Sequence, residues 1–166
     1  MPYKGYFTPQ NTKKYLGDPT KIYFRSLWER KIMQWCDRDQ SVLEWASEEI
    51  IIPYFCPTDN KRHKYYPDFY IKTINNGKIR VQLVEVKPKK QTEPPKFRKN
   101  TRKKRIITES KAWAKNTAKW KAAKKYCEIK NWEFHIITEN HPLLRMYKRW
   151  KNLPLQYYER QEQKKI

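Results

Sequence analysis

The sequence predicts an α/β fold in the order αβββαβ: a mixed central sheet flanked by helices, with an N-terminal arm and a C-terminal helix added. Three features carry this reading. Two tryptophan-rich stretches with helical spacing bracket three strand-like segments. Asn75, Asn76 and Gly77 supply a hairpin turn between the second and third of those segments, since Asn and Gly tolerate positive φ. A further apolar segment follows the second helix, so the chain must cross over to reach the sheet again.

In chain order, residues 1–17 are aromatic and basic, punctuated by Gly5, Pro9 and Gly17, and read as an extended arm packed on the body. Asp18-Pro19 has the chemistry of a helix start, and the first helix is expected to run to about Asp37. Phe24, Trp28, Ile32 and Trp35 give it a buried face. Val42 to Phe55 reads as one long strand centred on Ile50, Ile51 and Ile52, and Pro57 to Lys64 as a polar loop. Tyr65 to Thr73 and Lys78 to Val86 are the two arms of the hairpin. The second helix is expected over Glu109 to Cys127, with Trp113, Thr117, Trp120, Ala123 and Cys127 on one face. Trp132 to Thr138 is the fourth strand, Leu143 to Trp150 a terminal helix, and 151–166 a polar tail. The 166 residues form one expected domain with no internal repeat.

The formal charge is +21, from 38 Lys and Arg against 17 Asp and Glu, and this points to a polyanionic partner. Aromatics make up 15% of the chain, which excludes a disordered basic tail. No segment approaches a membrane-spanning length, and the N-terminal residues hold no apolar signal core, so no membrane association is expected. Cys36, Cys56 and Cys127 form no CxxC and no disulfide pattern, which suits a reducing compartment. With His63, His135 and His141 they form no zinc-ligand spacing, so no structural zinc site is expected.

The chemistry concentrates between Tyr65 and Lys87. Val81, Leu83, Glu85 and Lys87 share one face of their strand, which starts apolar and ends in a carboxylate and an ammonium. Burying charge is costly unless it is paired or metal-bound. Asp68 on the neighbouring arm adds a second carboxylate, and two carboxylates with a lysine suit a hard divalent cation such as Mg²⁺ on a phosphate substrate. A strand-end salt bridge is the bland alternative. Glu29 reads either as an i,i+4 partner of Arg25 or as a third acid facing the metal. Glu48 and Glu49 read as ordinary strand-surface charges, with one of them pointing towards the site as the alternative, and His63 as a loop histidine within reach of a phosphate.

Beyond Lys87, residues 88–108 read as a mobile basic loop. Nine Lys or Arg fall between 88 and 105, with Pro88, Pro94 and Pro95. Lys89, Lys90, Lys96, Arg98, Lys99, Arg102, Lys103 and Lys104 are the candidate contacts to a nucleic-acid backbone. Asn116 and Lys119 flank the buried face of the second helix and join them as candidates.

The element order, with Pro67-Asp68 and Glu85-Val86-Lys87 on the second and third strands and Glu29 in the first helix, resembles the PD-(D/E)xK nuclease superfamily and its restriction-endonuclease-like fold. Tyr23-Phe24-Arg25-Ser26-Leu27-Trp28-Glu29 and His63-Lys64-Tyr65-Tyr66-Pro67-Asp68-Phe69 resemble TnsA-type transposon-end endonucleases and the head-completion nucleases of myovirus-type tailed phages. Tyr3 to Asp18 and Asn116-Thr117-Ala118-Lys119-Trp120-Lys121-Ala122-Ala123 are similar to the phage proteins in particular. The resemblance implies a metal-dependent DNA endonuclease. Asp68, Glu85, Glu29 and the backbone carbonyl of Val86 would hold Mg²⁺, with Mn²⁺ substituting, and Lys87 would orient the water and steady the phosphorane. It also implies double-stranded DNA and phage portal or neck proteins as partners, a monomer or homodimer, and a place in the virion or host cytoplasm. Three other readings stay open on the residues alone: another small nuclease of the superfamily, a structural DNA-binding virion protein, and an RNA-binding basic protein.

Overall fold

The computed structural model describes residues 3–145. The arm is strapped down at both ends. Gly5–Tyr6 (β1) pairs antiparallel with Tyr23–Phe24 (β2), and between them a 3-10 turn at Thr12–Lys14 delivers Tyr15 edge-on to Trp45, ring centroids 4.7 Å apart. One carboxylate locks the arm: Asp37, 2% exposed, accepts the backbone N–H groups of Gln10 and Asn11, each at 2.9 Å. A buried carboxylate is tolerable only when so bonded, and its removal strands two amide donors. Asp37→Ala is therefore expected to destabilise the protein by about 3 kcal/mol, read as a thermal midpoint lower by roughly 6–12 °C.

The first helix, Leu27–Arg38 (α1), starts eight residues later than the sequence predicts, because the Asp18 side chain closes a local turn onto Thr20 and Tyr23 and Phe24 are drawn into β2. The true cap is Ser26, whose Oγ accepts the Glu29 N–H at 3.2 Å. Ile32, Met33 and Cys36 are the buried apolar residues of α1, with Trp28 and Trp35 partly buried beside them.

The single long strand expected over 42–55 is two strands. Val42–Ser47 (β3) ends where Glu48 turns into the left-handed region at φ 57°, and Ile52–Cys56 (β4) then leaves the main sheet. Ile51, placed at the centre of that strand by sequence, is 48% exposed in the connection. The second half of the expected polar loop, with Tyr65 of the expected hairpin arm, forms Lys61–Tyr65 (β5), which pairs with β4 as a separate two-stranded hairpin. Phe69–Asn75 (β6) and Lys78–Val86 (β7) form the hairpin, turning through Asn76 at φ 48° and Gly77 at φ 75°. Its second arm is the predicted one, whereas its first starts at Phe69 rather than Tyr65, because Pro67 interrupts the run, and ends at Asn75 rather than Thr73. The second helix, Lys103–Lys130 (α2), begins six residues before the predicted start and closes on left-handed Asn131. It leads into Glu133–Ile137 (β8), and the main sheet has the order β3-β6-β7-β8, antiparallel except for the last, parallel pair.

Each face of this mixed sheet has a core. Trp45, Phe69, Ile71, Val84 and Val86 pack with α1, whereas Tyr70 and Leu83 pack with Ile52, Tyr54 and Tyr65 of the small hairpin and with Ala123 and Cys127 of α2. Alternation along β7 thus sends Val84 and Val86 to one side and Leu83 to the other. Thr117, assigned to the buried face of α2 by its spacing, is exposed and bonds its hydroxyl back to the Trp113 carbonyl. The terminal helix begins at 142–145; the remainder of the predicted Leu143 to Trp150 helix and the 151–166 tail lie outside the described residues. Among the described residues no helix is long and apolar enough to cross a membrane.

Candidate active site

The site forms where β6 begins and β7 ends. The ladder between them stops at Phe69 opposite Val84. Pro67 has no N–H to extend it, and the Val86 N–H instead donates to Asp68 Oδ2 at 2.6 Å. Asp68 is thereby pinned beside the last residues of β7 by the pairing geometry itself. Glu85, 3% exposed, has both oxygens engaged: Lys87 Nζ lies 2.8 Å from Oε1, and the Tyr65 hydroxyl donates to Oε2 at 2.7 Å. An ammonium and a phenol are what allow this carboxylate to stay in the interior.

The charges act strongly on one another. Burial, and then the negative charge of Glu85, push the Asp68 carboxyl from 3.8 up to about 7, with Lys87 and the Val86 amide only partly offsetting them. Burial disfavours the Lys87 ammonium, yet the Glu85 and Asp68 carboxylates outweigh it and hold the group above its ordinary value. Burial and Glu85 raise the Tyr65 phenol far beyond any physiological range, so it acts as a permanent donor.

Glu29 stands at the mouth of α1. Its Oε1 accepts from Ser26 Oγ at 2.8 Å and its Oε2 from the Arg25 backbone N–H at 2.7 Å, a variant of the capping box. The side-chain pair with Arg25 that i,i+4 spacing suggested is not formed, because the Arg25 guanidinium bonds Glu48 Oε1 instead. The Glu29 charge nevertheless acts on both Asp68 and Lys87, which places it on the rim of the same acidic cluster.

Two residues here, Tyr65 and Arg25, were missed by sequence reasoning, and a third, Glu48, was given only as the less favoured of two alternatives. Tyr65 orients Glu85. Arg25 sits in the combined field of Glu48, Glu29 and Asp68. Glu48, read as a strand-surface charge, is the residue at which β3 breaks, and its N–H donates to the Asp68 carbonyl at 3.3 Å. A non-glycine residue in the left-handed region costs on the order of 1 kcal/mol and is concentrated at functional sites. Only Tyr65 carried a signal in the sequence, as an aromatic opening the segment that leads to Pro67-Asp68.

The basic candidates divide into two groups. Lys89, Lys90, Lys96, Arg98 and Lys99 are exposed on the segment leaving the site. The expected loop over 88–108 is shorter than predicted: Arg102 is the N-cap of α2, and Lys103 and Lys104 lie on its first turn, also exposed. Asn116 shares a groove with Lys90, Lys96, Pro94, Pro95 and Trp113. Lys119 lies over the Tyr65 and Tyr54 rings, 5.4 and 5.9 Å from their centroids, next to the donor that orients Glu85. His63 is turned to Asp59, 2.7 Å away.

Comparisons with known proteins identify the family. Residues 39–139 match the family described as the TnsA-like endonuclease N-terminal domain. That interval contains Asp68, Glu85 and Lys87, and Glu29 precedes it. The head completion nuclease of Enterobacteria phage T4 is 38% identical over 143 residues, covering 84% of this chain and 93% of its own. No solved structure matches. On the family match and this shared sequence, the chain belongs to the TnsA-like endonucleases.

Proposed function

We propose that this protein is a Mg²⁺-dependent DNA endonuclease acting on packaged DNA in phage head completion. The observation that carries the reading is the convergence of Asp68, Glu85 and Lys87 at one sheet end, with Glu29 on its rim. The donor set fits the ion. It consists of carboxylate oxygens and the Val86 carbonyl, hard ligands suited to Mg²⁺, with Mn²⁺ substituting. Burial, and then the Glu85 charge, drive Asp68 up to about 7 despite Lys87, so the pair carries more negative charge than this one ammonium offsets, and a divalent cation would supply the remainder. When bound, the cation supplies Lewis-acid stabilisation of charge on the phosphate and activation of the attacking water.

The residues do the remainder. Asp68 and Glu85 hold the ion, and Glu29 completes the negative cluster. Lys87, leaving Glu85 for substrate, orients the water and balances charge on the phosphorane. Tyr65 keeps Glu85 in position. The exposed cations from Lys89 to Lys104 grip the duplex backbone, with Asn116 and Lys119 nearer the cut. Lys103 and Lys104 put positive charge at the positive end of the α2 dipole, an arrangement unfavourable for the helix alone and favourable once a phosphate is present. The setting is the virion or host cytoplasm, with portal or neck proteins as recruiting partners and a monomer or homodimer as the acting unit.

Two outcomes test this reading. DNA affinity is expected to fall about 10³-fold between 50 and 200 mM salt if roughly six phosphates are contacted. Replacing Lys96, Lys99, Lys103 and Lys104 with Ala reduces the logarithmic salt slope by about one per lost contact; a flat salt response in the parent protein argues against backbone binding. Tyr65→Phe frees one oxygen of Glu85 and is expected to weaken Mn²⁺ binding about tenfold, followed by paramagnetic resonance. Unchanged Mn²⁺ affinity there removes Tyr65 from the site.

A further inference from the structure

A second group of metal-ligating side chains stands at the turn end of the β4–β5 hairpin, and the strand register assembles it. Cys56 pairs with Lys61 and Tyr54 with His63, so Cys56, Tyr54 and His63 project from one face of the hairpin. The turn then folds Asp59 back over that face: Asn60 adopts φ 56°, and its N–H bonds the Cys56 carbonyl at 3.0 Å. As a result Cys56 Sγ, an Asp59 carboxylate oxygen and a His63 ring nitrogen all lie within 4.8 Å of one another. Zinc–ligand bonds of about 2.0–2.3 Å in a tetrahedron separate neighbouring donors by about 3.3–3.8 Å. Closing separations of at most 4.8 Å to that range brings the three donors onto one ion.

We propose that Cys56, Asp59 and His63 bind a single Zn²⁺ ion, separate from the acidic cluster at Asp68 and Glu85. The donor types set the metal class. A thiolate and an imidazole select zinc or a similar borderline-soft cation over Mg²⁺, which takes oxygen ligands. Without metal, hydrogen bonds hold the same atoms together: His63 Nε2 lies 2.7 Å from Asp59 Oδ2, and Cys56 Sγ lies 3.1 Å from Thr58 Oγ1. Zinc displaces the thiol proton to solvent and binds the resulting thiolate together with the carboxylate and the neutral ring nitrogen. Asp59 and His63 are each 41% exposed at the side chain, so the ion has access from solvent and water fills the fourth position. The Cys-x₂-Asp-x₃-His spacing escapes a search restricted to cysteines and histidines, which is why the sequence predicts no zinc site. The ion ties the turn to both strands of the hairpin, and β5 of that hairpin ends in Tyr65, the donor to Glu85.

The test uses the full chain stripped with a chelator and titrated with Co²⁺, a spectroscopic stand-in for zinc. One equivalent is expected to produce the near-ultraviolet thiolate-to-cobalt charge-transfer band, and Zn²⁺ to bleach it mole for mole. The band persists in the Asp68→Asn and Glu85→Gln variants, disappears in Cys56→Ser, and needs at least about tenfold more Co²⁺ in His63→Ala. Absence of the band in the parent protein overturns the proposal, as does its survival in Cys56→Ser, which would assign it to Cys36 or Cys127. If Cys56→Ser loses its folded circular dichroism, His63→Ala decides, since His63 is at the surface: undiminished cobalt affinity in that variant overturns the site.

Discussion

Asp68→Asn and Glu85→Gln will each slow DNA cutting at least about 10³-fold while leaving DNA affinity equal or higher. Both substitutions keep the side-chain shape and remove one negative charge. In the proposed hydrolytic step that charge would hold the cation, so the loss falls on turnover. For binding, the same charge repels the phosphate backbone, so its removal is neutral or helpful. Lys87→Ala is expected to lose about 10²–10³-fold, since it takes away one donor to the developing charge and leaves Glu85 Oε1 without its ammonium. Single-turnover cleavage and a gel-shift titration read the two effects separately. Turnover retained in both carboxylate variants removes these residues from the catalytic role. Equal losses in cutting and in DNA binding point instead to a damaged fold.

The second large effect is on stability and runs with pH. The Asp68 carboxyl, ordinarily at 3.8, is pushed up to about 7 by burial and by Glu85. Between these values the folded protein binds a proton that the unfolded chain has released, so the stability of the metal-free protein falls as pH rises. The penalty is absent below pH 4 and complete above pH 7, where it amounts to a few kcal/mol. Asp68→Asn removes the titrating group while keeping an acceptor for the Val86 N–H. At pH 8 without metal this variant is expected to melt about 5–10 °C above the parent, and at pH 4 the two are expected to melt together. A variant less stable than the parent at pH 8 would show that the Asp68 charge is well accommodated in the fold.

How much of this was legible in the sequence follows from which forces are local. The turn and second arm of the hairpin between β6 and β7 were readable to the residue, because Asn76 and Gly77 provide the left-handed turn themselves and alternation along β7 sorts its faces. The start of the first arm was not, since Tyr65 pairs within the small hairpin instead. Asp68 and Glu85 were readable for the same reason, since the register of that hairpin brings them together. The start of α1 was not, because two capping signals competed. Asp18-Pro19 satisfied its own turn, and the pairing of Tyr23 and Phe24 with the arm, a long-range contact, gave the helix to Ser26. The break after β3 rests on Glu48 in a backbone region that glutamate seldom adopts, and no local pattern announces it. Four of the five residues of β5 are exposed, so it lacks the alternation that marks a half-buried strand and resembled a loop. The first turns of α2 were hidden by their own charge, as a run of lysines and arginines without an apolar stripe reads as a solvated segment. Tyr65, Arg25 and Glu48 belong to the site only through tertiary contact, which spacing along the chain does not encode.

The most direct test is cutting of supercoiled plasmid by the purified chain, with Mg²⁺, Mn²⁺ or EDTA, and with Lys87→Ala and Asp68→Asn alongside. Hydrolysis at Asp68, Glu85 and Lys87 predicts nicked or linear product with either metal, none in EDTA, and little or none from either variant. Cutting that persists in EDTA, or in Asp68→Asn at the parent's rate, would contradict it.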